Sequence, residues 1–236
     1  MQILKYKLTL HLPHELPGKL SVANTLNPHS YCVAQKDQDF YKALCSSDYL
    51  FPDGVGVVWA SHFLKNQKIQ KISGFDLHLH FLNLLRSKGE GKVFYLGASE
   101  NTLALIRKRL KEEFPMLKVE TYSPPYKNKF SLEESQEMID RVNQFDPDLL
   151  FVGMTAPKQE KWVYQHKTQL KAKVVCSIGA VFDFYAGTVK RPSQFWIDLG
   201  LEWFPRFIKE PRRLWRRNLI STPQFIFDVL RAKLGQ

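Results

Sequence analysis

Hydrophobic positions in the middle of the chain follow two different periods. Residues 93–97 form a short apolar run that ends in glycine, which is typical of a buried strand. Ser99 is a suitable N-cap for the next segment, and Pro115 ends it. Between them, apolar residues recur on one face of a predicted helix, at Leu103, Ile106, Leu110 and Phe114. Residues 118–122 are predicted to form the next strand.

The same unit recurs farther along the chain. Residues 131–134 have the form of a capping box and begin a helix that we expect to end near Phe145. Residues 149–153 and 174–178 predict two more strands, with a helix over 157–170 between them. Strands separated by helices form parallel sheets through right-handed crossovers. The sequence therefore predicts an α/β fold, with a Rossmann-like, mostly parallel sheet flanked by helices.

The N-terminal third shows weaker patterns of the same kind. We expect strands over 20–23 and 49–51. We expect helices over 29–46, 55–64 and 75–86. These elements are predicted to extend the same sheet.

The last segment changes character. Prolines at 205, 211 and 223 predict a series of short helices, because proline interrupts helical hydrogen bonding. Three of the five tryptophans lie here, interleaved with arginines. We therefore divide the chain into an α/β domain, residues 1–193, and a basic helical C-terminal appendage, residues 194–236.

The charge of the chain indicates polyanionic partners. The net charge is +11, and residues 190–236 carry ten Lys and Arg against four Asp and Glu. Nucleic acid, anionic lipid and phosphorylated substrates all fit such a balance. No signal peptide or membrane-spanning run is expected, and the three widely spaced cysteines predict neither a disulfide framework nor a metal site. We expect a cytoplasmic protein that is able to lie on a membrane.

Glycines follow the predicted strands and suggest a phosphate site. They are Gly54, Gly56, Gly97, Gly153 and Gly179. Ligands of open parallel sheets bind beyond the carboxyl ends of the strands, where helix N-termini attract phosphate. Simple turn geometry is the alternative explanation for each glycine. The chain has no GxGxxG after a strand and no GxxxxGK[ST], which argues against NAD binding and P-loop ATP hydrolysis.

Asp53 is the candidate catalytic residue. It stands at the end of a predicted strand, before Gly54, where an aspartate is able to accept a proton from a sugar hydroxyl. A helix N-cap is the alternative role. The polar residues 24–28 follow another strand, and they either bind sugar hydroxyls or form a turn.

No metal site is expected. His78 and His80 are two residues apart, so a helix points them to different sides. We therefore expect no tightly held catalytic metal and no cofactor.

The arginines and aromatic residues of the appendage allow three interpretations. They are able to clamp a diphosphate, to bind an anionic membrane surface, or to form a solvated basic helix. The chain has no fold-specific signature of RNA or DNA binding, so nucleic-acid binding is not predicted.

Taken together, the motifs resemble the WecG/TagA/CpsF family of bacterial glycosyltransferases, glycosyltransferase family 26. The resemblance covers roughly residues 20–220, and its specificity comes from the order and number of the matching pieces. Those pieces are residues 24–28, 52–56, 93–97, 153, 157–162, 177–183, 186–187, 200–206 and 210–214.

The resemblance implies an inverting sugar transfer without a bound metal. It implies a UDP-sugar donor, often of the N-acetylmannosamine type or with another hexose, and a polyprenyl-diphosphate-linked sugar acceptor of cell-surface polysaccharide or teichoic acid biosynthesis. Asp53 matches the proposed base of the family. The other matching candidates are Thr25, Asn27, Gln159, Arg206, Arg213 and Arg216 for substrate, and Gly54, Gly97, Ala98, Tyr126, Gly153 and Gly179 for the nucleotide.

The resemblance also implies a peripheral position on the inner face of the cell membrane, and a homo-oligomer is possible. Two departures from the family pattern bear on sugar choice and appendage geometry. Residues 155–157 replace a Gly-x-Pro, and Pro205 replaces a Tyr-like position. Two other functions stay open, a non-enzymatic basic adaptor for RNA or membranes and a nucleotide-sugar hydrolase.

Overall fold

The fold is taken from a computed structural model of the chain. The structure describes residues 1–198 and 200–235, and at positions 194, 198, 206, 209 and 213 it describes the backbone alone.

The elements alternate along most of the chain. The strands are β1 (Gln2–Ile3), β2 (Tyr6–Lys7), β3 (Ser21–Leu26), β4 (Tyr49–Pro52), β5 (Gly91–Gly97), β6 (Leu117–Tyr122), β7 (Leu149–Gly153) and β8 (Val174–Ser177). The α-helices are α1 (Pro28–Ala34), α2 (Gln38–Cys45), α3 (Val55–Lys65), α4 (Gly74–Lys88), α5 (Glu100–Glu113), α6 (Leu132–Phe145), α7 (Lys158–His166), α8 (Val181–Ala186), α9 (Gln194–Asp198), α10 (Trp203–Lys209), α11 (Pro211–Trp215) and α12 (Thr222–Leu234). A π-helical turn, Arg216–Ser221, joins α11 to α12.

Six of the described strands form one sheet. Their order is β4-β3-β8-β7-β5-β6, and each neighbouring pair is parallel. β1 and β2 form a small antiparallel hairpin beside it. The prediction of an α/β fold with a parallel sheet flanked by helices is confirmed.

Both faces of the sheet are buried, as parallel sheets require. One face packs Ala23, Tyr95 and Phe151 against α4, α5 and α8. The opposite face packs Val22 and Val152 against α6 and α7. A further apolar cluster joins the β1–β2 hairpin to α1, α2, α3 and α12.

Two predicted helices differ from the structure. The helix expected over 29–46 is divided at Asp37, which has an extended backbone and accepts a hydrogen bond from the Phe40 N–H at 3.0 Å. An aspartate cap satisfies a free helical N–H and so favours a new helix start over continuation. The helix expected over 157–170 is shorter, since α7 runs over Lys158–His166 and Pro157 precedes it at the N-cap.

The expectation that Pro223 breaks the tail is wrong. The chain stays helical from Pro211 to Leu234. Proline in a helix clashes with the carbonyl four residues earlier. The π turn accommodates it because hydrogen bonds there reach five residues back, as from the Thr222 N–H to the Arg217 carbonyl.

The last helix packs into the body of the protein. Phe225 and Val229 are buried against α1 and α3. The Phe225 ring meets the edge of Tyr31 at a centroid distance of 5.1 Å. The Asp228 carboxylate accepts hydrogen bonds from the Tyr31 hydroxyl at 3.2 Å and from the Gln35 amide at 2.9 Å.

The division of the chain between residues 193 and 194 stays a prediction, but α12 completes a core that the N-terminal helices begin. Among the described residues, no helix combines the length and apolar content that crossing a membrane requires.

We expect Phe225→Ala to destabilise the protein by about 3–5 kcal/mol, because it removes a buried ring and leaves a cavity beside α1. Phe227→Ala is the matched control, since that ring is 63% exposed. Urea unfolding of the two variants measures the difference. Equal stabilities would contradict the docking of α12 on the body.

Candidate active site

The candidate site residues lie along one edge of the sheet. Asn27 follows β3, Asp53 follows β4 and Gly179 follows β8, while Gly153 and Gly97 end β7 and β5. The carboxyl ends of parallel strands share one edge, so these positions lie side by side in the order of the sheet. The structure therefore brings together residues that are far apart in the sequence.

Asp53 is not the cap of the following helix. Gly54, with φ of 91°, occupies the N-cap of α3, and the structure gives it no side-chain capping bond. The Asp53 N–H instead donates to the Leu26 carbonyl at 2.8 Å, which ties the end of β4 to β3. The alternative prediction of an N-cap is wrong, and the carboxylate is left at the strand edge.

The surroundings of Asp53 perturb its acidity. Burial raises the pKa of the carboxyl above its ordinary value, and the nearby Glu202 acts in the same direction. Arg217, Lys71 and a hydrogen bond from Asn27 lower the pKa but do not cancel the effect of burial. A raised pKa makes a carboxylate a stronger base at neutral pH.

Asn27 has a structural task as well as a place in the site. Its Oδ1 accepts from the Ser30 N–H at 2.9 Å, and the Asn27 N–H donates to Ser30 Oγ at 2.8 Å, so the two residues cap α1 reciprocally. This arrangement directs the amide toward Asp53, whose pKa it lowers. Thr25 lies two residues earlier on β3, half-buried and in register with Phe51. The polar run 24–28 is thus a helix start that also borders Asp53.

Pro28 explains the glycine at position 56. A Cβ there would come within 2.8 Å of Pro28 Cγ, so only glycine lets α3 begin so close to α1. A Cβ at Gly54 would lie 4.0 Å from the Asn27 Cβ, which shows how closely the two strand ends approach.

Gln159 is fixed at the end of β7. Its Oε1 accepts from the Met154 N–H at 3.1 Å, and its Nε2 donates to Glu160 Oε1 at 2.8 Å. A Cβ at Gly179 would lie 3.4 Å from Gln159 Oε1, so Gln159 also lies beside the turn after β8. Gln159 is therefore placed at the ends of two neighbouring strands.

Glu160 is a residue that sequence reasoning missed. The side chain is buried, and its Oε2 has no hydrogen-bond partner among the described residues. Burial raises the pKa of Glu160 to about 7, against which the hydrogen bond from Gln159 acts weakly. A glutamate in the first turn of a helix is usually exposed to solvent, so the sequence pattern gave no indication that Glu160 is buried.

Packing alone accounts for two of the candidate glycines. A Cβ on Gly97 would overlap the Gly153 carbonyl, and a Cβ on Gly153 would overlap the Phe182 ring. Ala98 follows with φ of 58°, and its N–H donates to the Gly153 carbonyl at 3.0 Å. A phosphate role for these residues stays a prediction.

Tyr126 borders a cationic cavity near the start of α7. The cavity has a volume of about 550 Å³. Lys158 Nζ lies 5.9 Å from the Tyr126 ring centre and 4.6 Å from that of Phe130, and it donates to the Lys127 carbonyl at 2.7 Å. Burial lowers the pKa of Lys158. The other charged or polar residues of the lining include Asp39, Asn128, Lys129, Ser135, Thr155, Lys161 and Gln165.

The structure describes the side chain of only one of the three arginines that are predicted to bind substrate. The side chains of Arg206 and Arg213 lie outside the described part of the structure. Arg216 is exposed, and its guanidinium lies 5.4 Å from the ring centre of Trp215. Arg217 was not among the predicted site residues, and its positive charge lowers the pKa of Asp53.

The π turn that carries Arg217 is fixed to α1. His29 Nδ1 and Ser221 Oγ are 2.9 Å apart, and the Cys32 thiol donates to the Ser221 carbonyl at 3.2 Å. Burial lowers the pKa of His29, and Arg217 lowers it further. Since His29 is two residues from Asn27, these bonds hold Arg217 on the Asp53 side of the sheet edge.

His78 and His80 make internal structural contacts. His78 Nε2 lies 2.7 Å from the Tyr95 hydroxyl, and His80 Nε2 donates to the Pro13 carbonyl at 2.8 Å. Within residues 1–198 and 200–235, no group of three His, Cys, Asp or Glu side chains is placed to hold a metal ion. Metal independence stays a prediction.

We expect the raised pKa of Glu160 to make stability depend on pH. The folded state keeps the proton that the unfolded state releases near pH 4.5, so the unfolding free energy falls as pH rises toward about 7. Glu160→Gln lacks this loss and should exceed wild type in stability by up to about 3 kcal/mol above pH 7, with little difference near pH 5. Urea unfolding at both pH values measures the effect, with the half-exposed Glu137→Gln as control. The same pH dependence in wild type and Glu160→Gln would contradict the burial of this carboxyl.

Known proteins are similar to the chain over most of its length. The sequence model of the WecG/TagA/CpsF family of glycosyl transferases matches residues 12–236. The N-acetylglucosaminyldiphosphoundecaprenol N-acetyl-beta-D-mannosaminyltransferase of Bacillus subtilis (strain 168) is 33% identical over 221 residues, which cover 93% of this chain and 83% of that protein. Proteins of the same name are 31% identical over 207 residues in Bacillus spizizenii (88% and 77% covered) and 30% identical over 209 residues in Staphylococcus aureus strain MW2 (89% and 79% covered). The resemblance inferred from the motifs is confirmed, and the chain belongs to the WecG/TagA/CpsF family of glycosyltransferases.

Proposed function

We propose that the protein transfers a sugar of the N-acetylmannosamine type from a UDP-sugar to a sugar that is linked through diphosphate to a polyprenol. The names of the relatives state such an acceptor and such a transferred sugar. The product would enter cell-surface polysaccharide or teichoic acid synthesis.

The position of Asp53 carries the proposal. It is a half-buried carboxylate at the sheet edge. Gly54 takes the N-cap position of α3 in its place, and an amide and cations border the carboxylate. A general base for a sugar hydroxyl needs such a position and a pKa nearer to neutrality than that of a solvated aspartate.

The transfer step uses Asp53 as the base. The acceptor hydroxyl gives its proton to the Asp53 carboxylate while its oxygen forms a bond to the anomeric carbon of the donor. The bond from that carbon to the UDP oxygen breaks on the opposite face, so the configuration inverts and UDP leaves with the bonding electron pair. The reaction needs no separate nucleophile on the protein.

Protein cations offset the charge that grows on UDP. Arg217 acts on the Asp53 region from the π turn, and the arginines of the appendage supply further positive charge. Fixed cations near a leaving group stabilise the transition state and do the work that a metal does in other enzymes. Metal independence is part of the proposal.

The nucleotide is proposed to lie between the strand ends and the lysine-lined cavity. Tyr126 is almost fully exposed there and offers an aromatic face for a base. Lys158 precedes Gln159 at the start of α7, and its Nζ lies 5.9 Å from the Tyr126 ring centre, so it offers a cation to a diphosphate bound there. The proposed cellular place is the cytoplasmic face of the membrane, where a lipid-linked acceptor is accessible to a peripheral protein.

We expect Asp53→Asn to lower kcat by about 10²–10⁴, because the amide cannot accept the proton. Donor binding should persist, since the shape of the side chain is conserved. A coupled assay of UDP release with a lipid-linked acceptor measures kcat, and calorimetry measures UDP binding. Asp140→Asn, on the exposed face of α6, is the control for loss of one carboxylate. Near wild-type transfer by Asp53→Asn would remove the residue from the mechanism.

We expect UDP to raise the melting temperature, and Lys158→Gln to weaken that effect by removing a half-buried cation from the cavity. Lys108→Gln, on α5 away from the cavity, should bind UDP as wild type does. A protein that ignores UDP and binds RNA tightly would be the basic adaptor instead. Undiminished UDP binding by Lys158→Gln would move the nucleotide out of this cavity.

A further inference from the structure

Helix α3 presents an apolar stripe to solvent. Val55, Trp59 and Phe63 recur at intervals of four residues and therefore share one face. They are 47%, 37% and 36% exposed, although the opposite face of the same helix is buried through Val57, Ala60 and Leu64. The Trp59 and Phe63 rings stack at 5.1 Å with an interplanar angle of 13°. A paired aromatic surface of this kind on a domain commonly marks an interaction site.

The segment that carries the stripe is basic, although Lys71 is ion-paired with Glu202 at 2.9 Å. No Asp or Glu occurs between Asp53 and Asp76, whereas Lys65, Lys68 and Lys71 lie in this segment. Lys65 and Lys68 are exposed at the C-terminal end of α3. An apolar face with tryptophan and a lysine rim is the composition of helices that lie in the interface of an anionic bilayer.

The last helix has an exposed apolar face of its own. α12 packs on α3 and exposes Ile226, Leu230 and Leu234, again at intervals of four residues. The sequence predicted a membrane surface in the appendage, but α3 belongs to the α/β domain. It also begins two residues after Asp53, so a surface that contacts α3 lies next to the candidate base.

We propose that the face of α3 formed by Val55, Trp59 and Phe63 docks on an anionic lipid bilayer, with Lys65 and Lys68 at its rim. Docking through α3 holds the edge of the sheet that carries Asp53 against the lipid surface. That orientation suits an acceptor whose diphosphate lies at the membrane surface. This advantage rests on the proposed function, whereas the binding of α3 to the bilayer does not.

Vesicle flotation of the full chain tests the proposal. The probe is a vesicle of phosphatidylglycerol and phosphatidylcholine, compared with one of phosphatidylcholine alone. We expect Trp59→Ser combined with Phe63→Ser to weaken binding to the anionic vesicle by at least about tenfold, since two interfacial aromatic side chains are lost. Lys65→Gln combined with Lys68→Gln should weaken binding to the anionic vesicle and leave binding to the neutral vesicle unchanged.

The matched control is Leu105→Ser combined with Met116→Ser, which removes two large side chains that are each 37% exposed but lie on α5 and before β6. The appendage stays intact in all variants, because its deletion would remove Phe225 and Val229 from the core. A second readout uses a conservative substitution, which is less disruptive to the fold. In vesicles with brominated lipid, Trp59→Phe should lose part of the quenching of tryptophan fluorescence.

Unchanged vesicle binding by the α3 double variant would overturn the proposal, as would equal quenching in Trp59→Phe. A changed oligomeric state without a change in vesicle binding would instead assign the stripe to a second copy of the chain. If the wild-type protein bound vesicles through α3 but transferred no sugar, the proposed function would fail and the docking surface would stand.

Discussion

The close approach of α1 to the end of β4 is the constraint on which the site depends. Asn27 caps α1 and hydrogen-bonds to Asp53, while Pro28 fills the space that Gly56 leaves open. From the same helix, His29 and Cys32 bind the π turn at Ser221. One short helix therefore joins two strand ends to the C-terminal segment, and the packing of Phe225 beneath it secures the joint.

This joint also explains the electrostatics of Asp53. The carboxylate is partly shielded from water because α1, α3 and the C-terminal segment meet around it, and that burial raises its pKa. Arg217 reaches the same region only because the π turn is bound to α1. Packing and charge thus act through the same contacts, so a change in the joint alters the base even when Asp53 itself is intact. The stripe on α3 extends the arrangement outward, from the base to the proposed lipid surface.

Much of the fold followed from local pattern. The strands at 93–97 and 149–153 were predictable because parallel strands are continuous apolar runs, and the helix over Glu100–Glu113 because its apolar residues keep one face. The continuity of the tail was not predictable, because Pro223 breaks most helices and a π turn has no sequence signature. In the site, Asp53 and Asn27 were found from their places after strands. Arg217 and Glu160 were not, since their roles depend on burial and long-range contacts that a sequence does not show.

The most direct test of the account is the stoichiometry and stereochemistry of the reaction. The protein would be incubated with UDP-N-acetylmannosamine and an N-acetylglucosamine–diphosphate–lipid acceptor, and UDP and lipid product would be quantified by chromatography and mass spectrometry. The account predicts one disaccharide lipid for each UDP released, with an inverted anomeric centre by NMR and no release without acceptor. UDP release that continues at the same rate without acceptor, or a product with retained configuration, would contradict direct transfer by a single base.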